Sequence, residues 1–342
     1  MSFLSVRPVR MSDLDALCEI AATSGTGMTT VPSSPSAMAE RIALSEAAFA
    51  GQGKAGPKDV FFFVLDDGTR AVGMASIFPD LGADRPFYSY RLSHVAAQAP
   101  ELDIRAETDV LHLVNDFHGY TEIGTLLVGD AARGKGAGRL LSLSRFAFLA
   151  LHRERFGPRV MAEIRGWFDE EDRSPFWDAV ASRFFHLSFQ EADRRSAQDF
   201  RFIADLMPKY PIYVDLLPDE ARETIGKPHS TSQYAMRMLE TEGFEWTRCI
   251  DIFDGGPSLE CRLDQIRTVR KARALTVRIG DEESDPSELV ASPAASGFAS
   301  LIASGPVTKE TVTLHAAQAE RLGLSEGEKA LVTPLRAVRA KL

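Results

Sequence analysis

The segment EIGTLLVGDAARGKGAGRLLSLSRFAFLALHRERF, which begins at Glu122, limits the possible folds more than any other part of this chain. A continuous apolar run, 122–128, reads as a buried strand. It leads into a basic turn with glycines at 134, 136 and 138, and then into a long helix pattern. Strand, glycine-rich turn and helix start together make a phosphate site. Glycine admits positive φ and close backbone approach, and the N–H groups of the turn and the helix end converge on an anion. Two familiar versions fail. Gly129, Gly134 and Lys135 satisfy G-x-x-x-x-G-K, but the next position, where a P-loop needs a hydroxyl for magnesium, is Gly136. A dinucleotide fingerprint needs its last glycine where Arg139 stands. On the helix, Arg139, Ser142, Arg145 and His152 form a polar stripe, while Leu140, Leu141, Phe148 and Leu149 face elsewhere, as expected of a helix on a sheet.

The rest of the chain alternates strands and helices. FLSVRPV reads as a strand, and SDLDALCEIAA as a helix with Ser12 at its N-cap. SAMAERIALSEAAFA reads as a second helix, opened by Ser34 and Pro35. DVFFFVLDD and RAVGMASIF form a hairpin through Asp67-Gly68. Further strands are expected at 87–93, at 159–168 and in EWTRCIDIF and SLECRL. Helices are expected in SPFWDAVASRFF, AQDFRFIADLM and SQYAMRMLETEGF. An acidic, proline- and serine-bearing stretch, 278–297, precedes short strands. The expected organisation is a main domain over 1–270 and a small β-rich domain over 271–342.

The 342 residues carry a net charge of −9, which argues against broad binding to nucleic acid or to an anionic membrane. Three scattered cysteines without metal spacing point to a reducing compartment. No apolar run reaches membrane-spanning length, and the start MSFLSVRPVRMSDLD has no signal-peptide core, so a cytoplasmic protein is expected.

Arg133, Gly136 and Gly138 fit Arg/Gln-x-x-Gly-x-Gly/Ala, the acyl-coenzyme A loop of the GNAT superfamily of N-acetyltransferases. Across nearly the whole chain the sequence also resembles the arginine N-succinyltransferase family. The resemblance is carried by TSGTGMTTVP, FYSYRLSHV, NDFHGYTEIGTLLV, AEIRGWFDEEDRSPFW, LMPKYPIYVDLLP, IGKPHSTSQYAMRMLETEGF and IDIFDGGPSLEC. It implies an α/β (α+β) fold with a GNAT-like mixed, splayed sheet flanked by helices. It implies succinyl transfer from succinyl-coenzyme A to the α-amine of L-arginine, without a metal. The backbone of Arg133, Gly134, Lys135, Gly136, Ala137 and Gly138 is then expected on the coenzyme A diphosphate. The family's succinyl-coenzyme A contact falls on Leu126 and its proton donor on His229.

The chemistry sets further requirements. The carbonyl oxygen gains charge and needs an N–H donor; in the superfamily that the chain resembles this is a backbone N–H on the central strand, which implies Leu126 or Leu127. A base relieves the protonated amine: His229 is one candidate, and Glu163, a carboxylate in an apolar strand, is its rival. The succinyl carboxylate calls for a bidentate arginine, for which Arg91 and Arg165 are candidates. The substrate guanidinium calls for carboxylates, offered by Asp116, Asp251, Asp254 and Glu260. Thr29 and Thr30 are candidates for the amino acid's own carboxylate. Ornithine presents the same α-amine, and some relatives work as pairs of non-identical chains, so an ornithine preference, a homo- or hetero-oligomer with a paralogous chain, and a non-catalytic subunit are the alternatives.

Overall fold

The computed structural model describes residues 3–24, 28, 30–32, 34–134, 136–196, 205–285 and 287–336. Thr29, Lys135 and most of the helix expected in AQDFRFIADLM lie outside the described residues.

Strands β1 (Ser5–Pro8), β2 (Phe61–Asp66), β3 (Ala71–Phe78), β4 (Ser89–Ala99), β5 (Ile104–Val114), β6 (Thr121–Val128), β7 (Arg159–Glu163), β8 (Ile212–Tyr213), β9 (Glu245–Asp251) and β10 (Pro257–Arg262) are followed by β11 (Arg273–Ile279), β12 (Glu288–Ala291), β13 (Ser300–Ala303), β14 (Thr311–Leu314) and β15 (Lys329–Pro334). They form one sheet in the order β14-β11-β15-β12-β13-β1-β2-β3-β6-β7-β10-β9-β4-β5-β8. Its pairs are antiparallel except β6–β7 and β11–β14. The helices are α1 (Leu14–Ala21), α2 (Pro35–Ala50), α3 (Ala137–Leu151), α4 (Pro175–Ala179), α5 (Ser182–Phe185), α6 (Phe189–Ser196), α7 (Asp219–Arg222), α8 (Gln233–Glu242), α9 (Arg267–Lys271) and α10 (Ala316–Leu322). This is the expected mixed sheet with flanking helices.

The β2 sequence FFFVLD is apolar on both faces because both are covered. Phe62 and Val64 pack with Leu17 of α1 and with Met38 and Ile42 of α2. Phe61, Phe63 and Leu65 turn toward α3. There Phe148, fully buried, meets Phe49, Phe61, Phe63 and Phe298 at centroid distances of 5.1–5.3 Å. A second core gathers Tyr90, Phe176, Trp177, Phe185 and Phe253 beneath α4 and α5. The C-terminal strands enclose a core of their own, with Leu275, Val277, Leu301 and Leu322. They join the main sheet where Val6 of β1 faces Ser300 of β13.

Local details differ from expectation in four places. Asp13, not Ser12, caps the first helical turn, because its carboxylate takes the Arg10 N–H at 2.8 Å while also holding Arg7. Strand β7 stops at Glu163 instead of running to 168. Gly166 is pressed so closely on Asp254 that a Cβ there would lie 2.3 Å from the Asp254 carbonyl oxygen, so the chain leaves the sheet. Strand β5 has no clear sequence signal. It pairs with β4 in a long hairpin whose outer part, residues 93–107, is largely exposed, and a strand with no buried face need not alternate. Finally, the α3 polar stripe is not a solvent face: Ser142 and Arg145 are buried.

Phe148 sets the scale of the core. Its truncation, F148A, should cost about 3–5 kcal/mol in urea unfolding, through lost transfer energy and the cavity left behind. F148L should cost clearly less than F148A.

Candidate functional site

The parallel strands β6 and β7 pair only at Thr121–Val160 and Glu122–Met161. Beyond Glu122 they separate. On its other edge β6 carries one extra residue. Met74 faces Leu127 and Ser76 faces Gly124, so Thr125 and Leu126 share the place opposite Ala75. Thr125 takes a φ of +54° within this bulge, an uncommon conformation for a β-branched residue. Thr30 holds it there: the Thr125 N–H donates to Thr30 Oγ1, and the Thr125 hydroxyl to the Thr30 carbonyl, both at 3.1 Å.

Strand β6 runs into the glycine loop. Gly134 and Gly136 have φ of +78° and +73°, and the space where a Cβ would stand is open at both. Gly136 is the N-cap of α3, which runs for 15 residues. Ala137 is buried, and Gly138 lies against Val128. Arg133 folds back on its own loop, with Nε on the Val128 carbonyl at 3.2 Å and Nη1 on Asp130 at 3.0 Å. The Arg133 side chain is thus engaged within the loop, and no residue from 133 to 138 that is described borders either cavity.

Two cavities meet where β6 and β7 part. One, of about 150 Å³, is bordered by Gly124, Thr125, Leu126, Ser142, Arg145 and Arg165, and also by Ser232 and Met238. The other, of about 220 Å³, lies between Arg41, Phe78, Arg85, Phe87 and Tyr88. Thr30, Glu122, Glu163, Asp251 and Phe253 border both. Of the two expected carbonyl-oxygen positions, Leu126 lines the smaller cavity, whereas Leu127 lines neither and packs toward the α1–α2 core.

The shared wall is acidic. Burial raises the Glu122 carboxyl to about 7, with Arg85 and Arg41 pulling it back. Burial, and then the charges of Asp251, Glu122 and Asp254, holds the Glu163 carboxyl well above the ordinary carboxylate range. Its Oε1 is buried without a hydrogen-bond partner, as is the hydroxyl of Ser258, which faces Glu163 across the sheet. Asp251 Oδ1 takes the N–H groups of Phe253 and Asp254, and Asp254 takes those of Gly166 and Gly256. Burial, with mutual repulsion on Asp254, raises both aspartates, so the pair holds a proton where exposed aspartates have lost theirs. Such a wall, rich in acceptors, suits a cationic ligand.

His229 borders neither cavity and reaches the site through Arg165, which borders the smaller one. Its Nδ1 lies 2.7 Å from the Thr231 hydroxyl and 3.5 Å from Arg165 Nη1, and the His229 backbone N–H donates to the Arg165 carbonyl at 2.8 Å. Burial and then the Arg165 charge depress its pKa, so the ring is neutral at pH 7. Arg165 stacks on Phe168 and reaches Asp172 at 3.4 Å. Three expected residues are elsewhere. Arg91 and Asp116 pair with each other and line neither cavity, and Glu260 is paired with Arg159 at 2.6 Å. Among the described residues no group of three or more His, Cys, Asp or Glu is arranged to hold a metal ion.

Three site residues escaped sequence reasoning. Glu122 lies in an apolar strand, as Glu163 does, and the same argument applied to it would have found it. Arg41 and Arg145 read as ordinary polar positions on helices. Only the tertiary packing buries them, pulling their pKa values down to about 10 and about 9.

Comparison with known proteins places this geometry. Residues 4–268 match a family described as arginine N-succinyltransferase beta subunit. The chain is 36% identical over 345 residues to the arginine N-succinyltransferase subunit beta of Pseudomonas aeruginosa, covering 97% of this chain and 98% of that one. It is likewise 36% identical to the arginine N-succinyltransferase of Yersinia enterocolitica, with 99% of each covered. A solved structure, subunit AI of the Pseudomonas aeruginosa arginine/ornithine succinyltransferase, superposes with a TM-score of 0.89 at 34% identity, covering 99% of this chain and 100% of that one.

The raised Glu122 carboxyl has a stability consequence of fixed sign. A carboxyl moved from its ordinary 4.5 to about 7 resists ionisation in the folded state, so its favourable contribution is complete below 4.5 and lost as pH rises to 7. At 1.36 kcal/mol per pH unit the loss is roughly 3 kcal/mol. Urea unfolding of wild type and E122Q at stepped pH should show wild type losing that much relative to the variant between pH 4.5 and 7, and no more above it. A difference independent of pH would contradict the assignment.

Proposed function

The chain belongs to the arginine N-succinyltransferase family, and we propose that it transfers the succinyl group of succinyl-coenzyme A to the α-amine of L-arginine, giving N2-succinyl-L-arginine and coenzyme A. One observation supports this reading: where β6 and β7 part, an acyl-sized cavity meets a second cavity across a shared wall of buried acidic side chains.

In this reading the loop amides from Arg133 to Gly138 bind the coenzyme A diphosphate, with the α3 N-terminus adding positive potential. The pantetheine arm enters between β6 and β7. The thioester carbonyl comes to the bulge, where the Leu126 N–H meets its developing negative charge. Arginine occupies the larger cavity. Its guanidinium and ammonium face Glu122, Glu163 and Asp251, and its carboxylate lies toward Arg41.

An α-ammonium must lose one proton to become a nucleophile, and the amine nitrogen loses a second after attack. Glu163, with its raised proton affinity, receives the first and passes it to solvent. The amine then attacks the thioester carbon. His229, neutral in the resting site, takes the second proton from the tetrahedral adduct and delivers it to the sulfur as the carbon–sulfur bond breaks. A base that becomes the acid satisfies both halves of the transfer. No covalent enzyme intermediate is needed, since both substrates sit at one junction.

The purified chain should release coenzyme A thiol, read with a thiol reagent, only when both succinyl-coenzyme A and arginine are present. Mass spectrometry should identify succinylarginine. Labelled succinyl-coenzyme A alone should leave no label on the protein. H229A should lower kcat about 10²–10⁴-fold while coenzyme A affinity is retained. Turnover by H229A at the wild-type rate would remove His229 from the mechanism.

A further inference from the structure

Arg145 is a buried cation without a carboxylate. It is 3% exposed, Nη1 donates to the Gly124 carbonyl at 3.2 Å, Nη2 to the Ser142 hydroxyl at 3.3 Å, and Nε has no partner. Among the described residues no Asp or Glu oxygen lies within 4 Å of it, and it borders the cavity that also touches Thr125 and Leu126. Arg155 makes the contrast. It too is buried without a carboxylate, but it is engaged by the Ala48 and Gly53 carbonyls and the Phe61 ring, and it borders neither cavity. An unpaired guanidinium facing a cavity is costly, and an incoming anion relieves that cost.

We propose that Arg145 reads the free carboxylate of the acyl group, and so makes the site selective for coenzyme A thioesters of short dicarboxylic acids over neutral acyl groups of equal length. The proposal rests on the acyl-transfer reading above and goes further by naming the selecting residue. Its geometry follows from Gly124. The carbonyl that Arg145 holds belongs to the residue just before the Thr125–Leu126 bulge, so the guanidinium stands next to the place of the thioester carbonyl. The free carboxylate of a succinyl group is two methylenes beyond that carbonyl. The remaining donors of Arg145 offer it a forked, charge-assisted contact. Arg133 is committed to its own loop and Arg41 to the Glu122 side; Arg165 borders the same cavity and also keeps Nε without a partner, but its Nη2 lies 3.4 Å from Asp172, a counter-charge that Arg145 lacks.

The test compares succinyl-coenzyme A with butyryl-coenzyme A, which has the same chain length and no carboxylate. Wild type should prefer the succinyl thioester in kcat/KM with arginine. In R145Q the succinyl-to-butyryl ratio should fall at least 10²-fold, since a site built for a polar group discriminates strongly by leaving it unpaired. R145K, which keeps the charge but not the fork, should fall between. Retention of coenzyme A binding and a cooperative melt establishes that each variant folds. Where R145Q turnover is too slow, the ratio is read from the dissociation constants of the two thioesters. Equal losses for both thioesters, with the ratio unchanged, would overturn the role of Arg145 and leave succinyl transfer standing. Absence of turnover in wild type with succinyl-coenzyme A and arginine would overturn the underlying reading, and this one with it.

Discussion

Strands β6 and β7 exchange hydrogen bonds over two residue pairs and then part, and the site is built on that separation. A parallel pair left open inside a sheet exposes backbone groups that must find other partners. The chain manages this with the bulge at Thr125–Leu126, which is tied to Thr30, and with Arg145, which takes the Gly124 carbonyl from the other side. On the far side of the opening, the Gly166–Asp254–Gly256 contact pulls the chain after β7 toward the β9–β10 turn. Only glycine permits this closeness: a Cβ at Gly256 would lie 2.1 Å from the Ile164 carbonyl oxygen. The gap is therefore held open from both sides by packing, and a ligand enters a shape that already exists.

Charge distribution then divides the opening. Glu122, Glu163, Asp251 and Asp254 line one part of it, with the charges of Arg41 and Arg85 acting on Glu122 and that of Asp254 on Arg165, while Arg145 on α3 has no carboxylate partner. Arg145 forms no direct ion pair with these acids, and Glu163 Oε1 and Arg145 Nε are left without hydrogen-bond partners. A protein at its most stable would pair them or replace them with apolar groups. Retaining them separately has a stability cost and leaves one side suited to a cation and the other to an anion. The amine acceptor and anionic acyl donor proposed above would satisfy both at once.

The sequence made one half of this site legible and hid the other. The conformation of the glycine loop could be read because backbone conformation leaves a mark in residue type. Gly134 and Gly136 take the positive φ that their identity implies. Glu163 was legible as a buried carboxylate because a carboxylate in an apolar strand has few reasons to be there, whereas Asp251 was named only as a carboxylate for a guanidinium. Arg145 was not. Arginine at one position of a helical polar stripe is the pattern of a solvent face, and only the placement of α3 over the opening buries it. The bulge was equally hidden, since TEIGTLLV carries no proline and its glycine is one residue from the distorted position. Arg91 and Asp116 show the opposite failing: charges in suggestive segments found each other at the surface.

The C-terminal strands bear on the site through the helix they support. Ser144 and Arg145 are neighbours on α3 and leave it in different directions. Arg145 turns to the opening, while the Ser144 hydroxyl donates to the Leu140 carbonyl and accepts from Ser300 of β13 at 2.7 Å. One turn further on, Phe148 meets Phe298, which precedes β13, at 5.2 Å. At the helix start Arg139 donates to the Arg336 carbonyl. These contacts fix the rotation of α3 about its axis, and a helix rotated by one residue's turn would carry Arg145 out of the opening altogether. The tail thus acts as a brace for the helix whose first residue follows Gly136 and whose middle presents Arg145, so the placement of both depends on strands that, among the described residues, touch neither cavity.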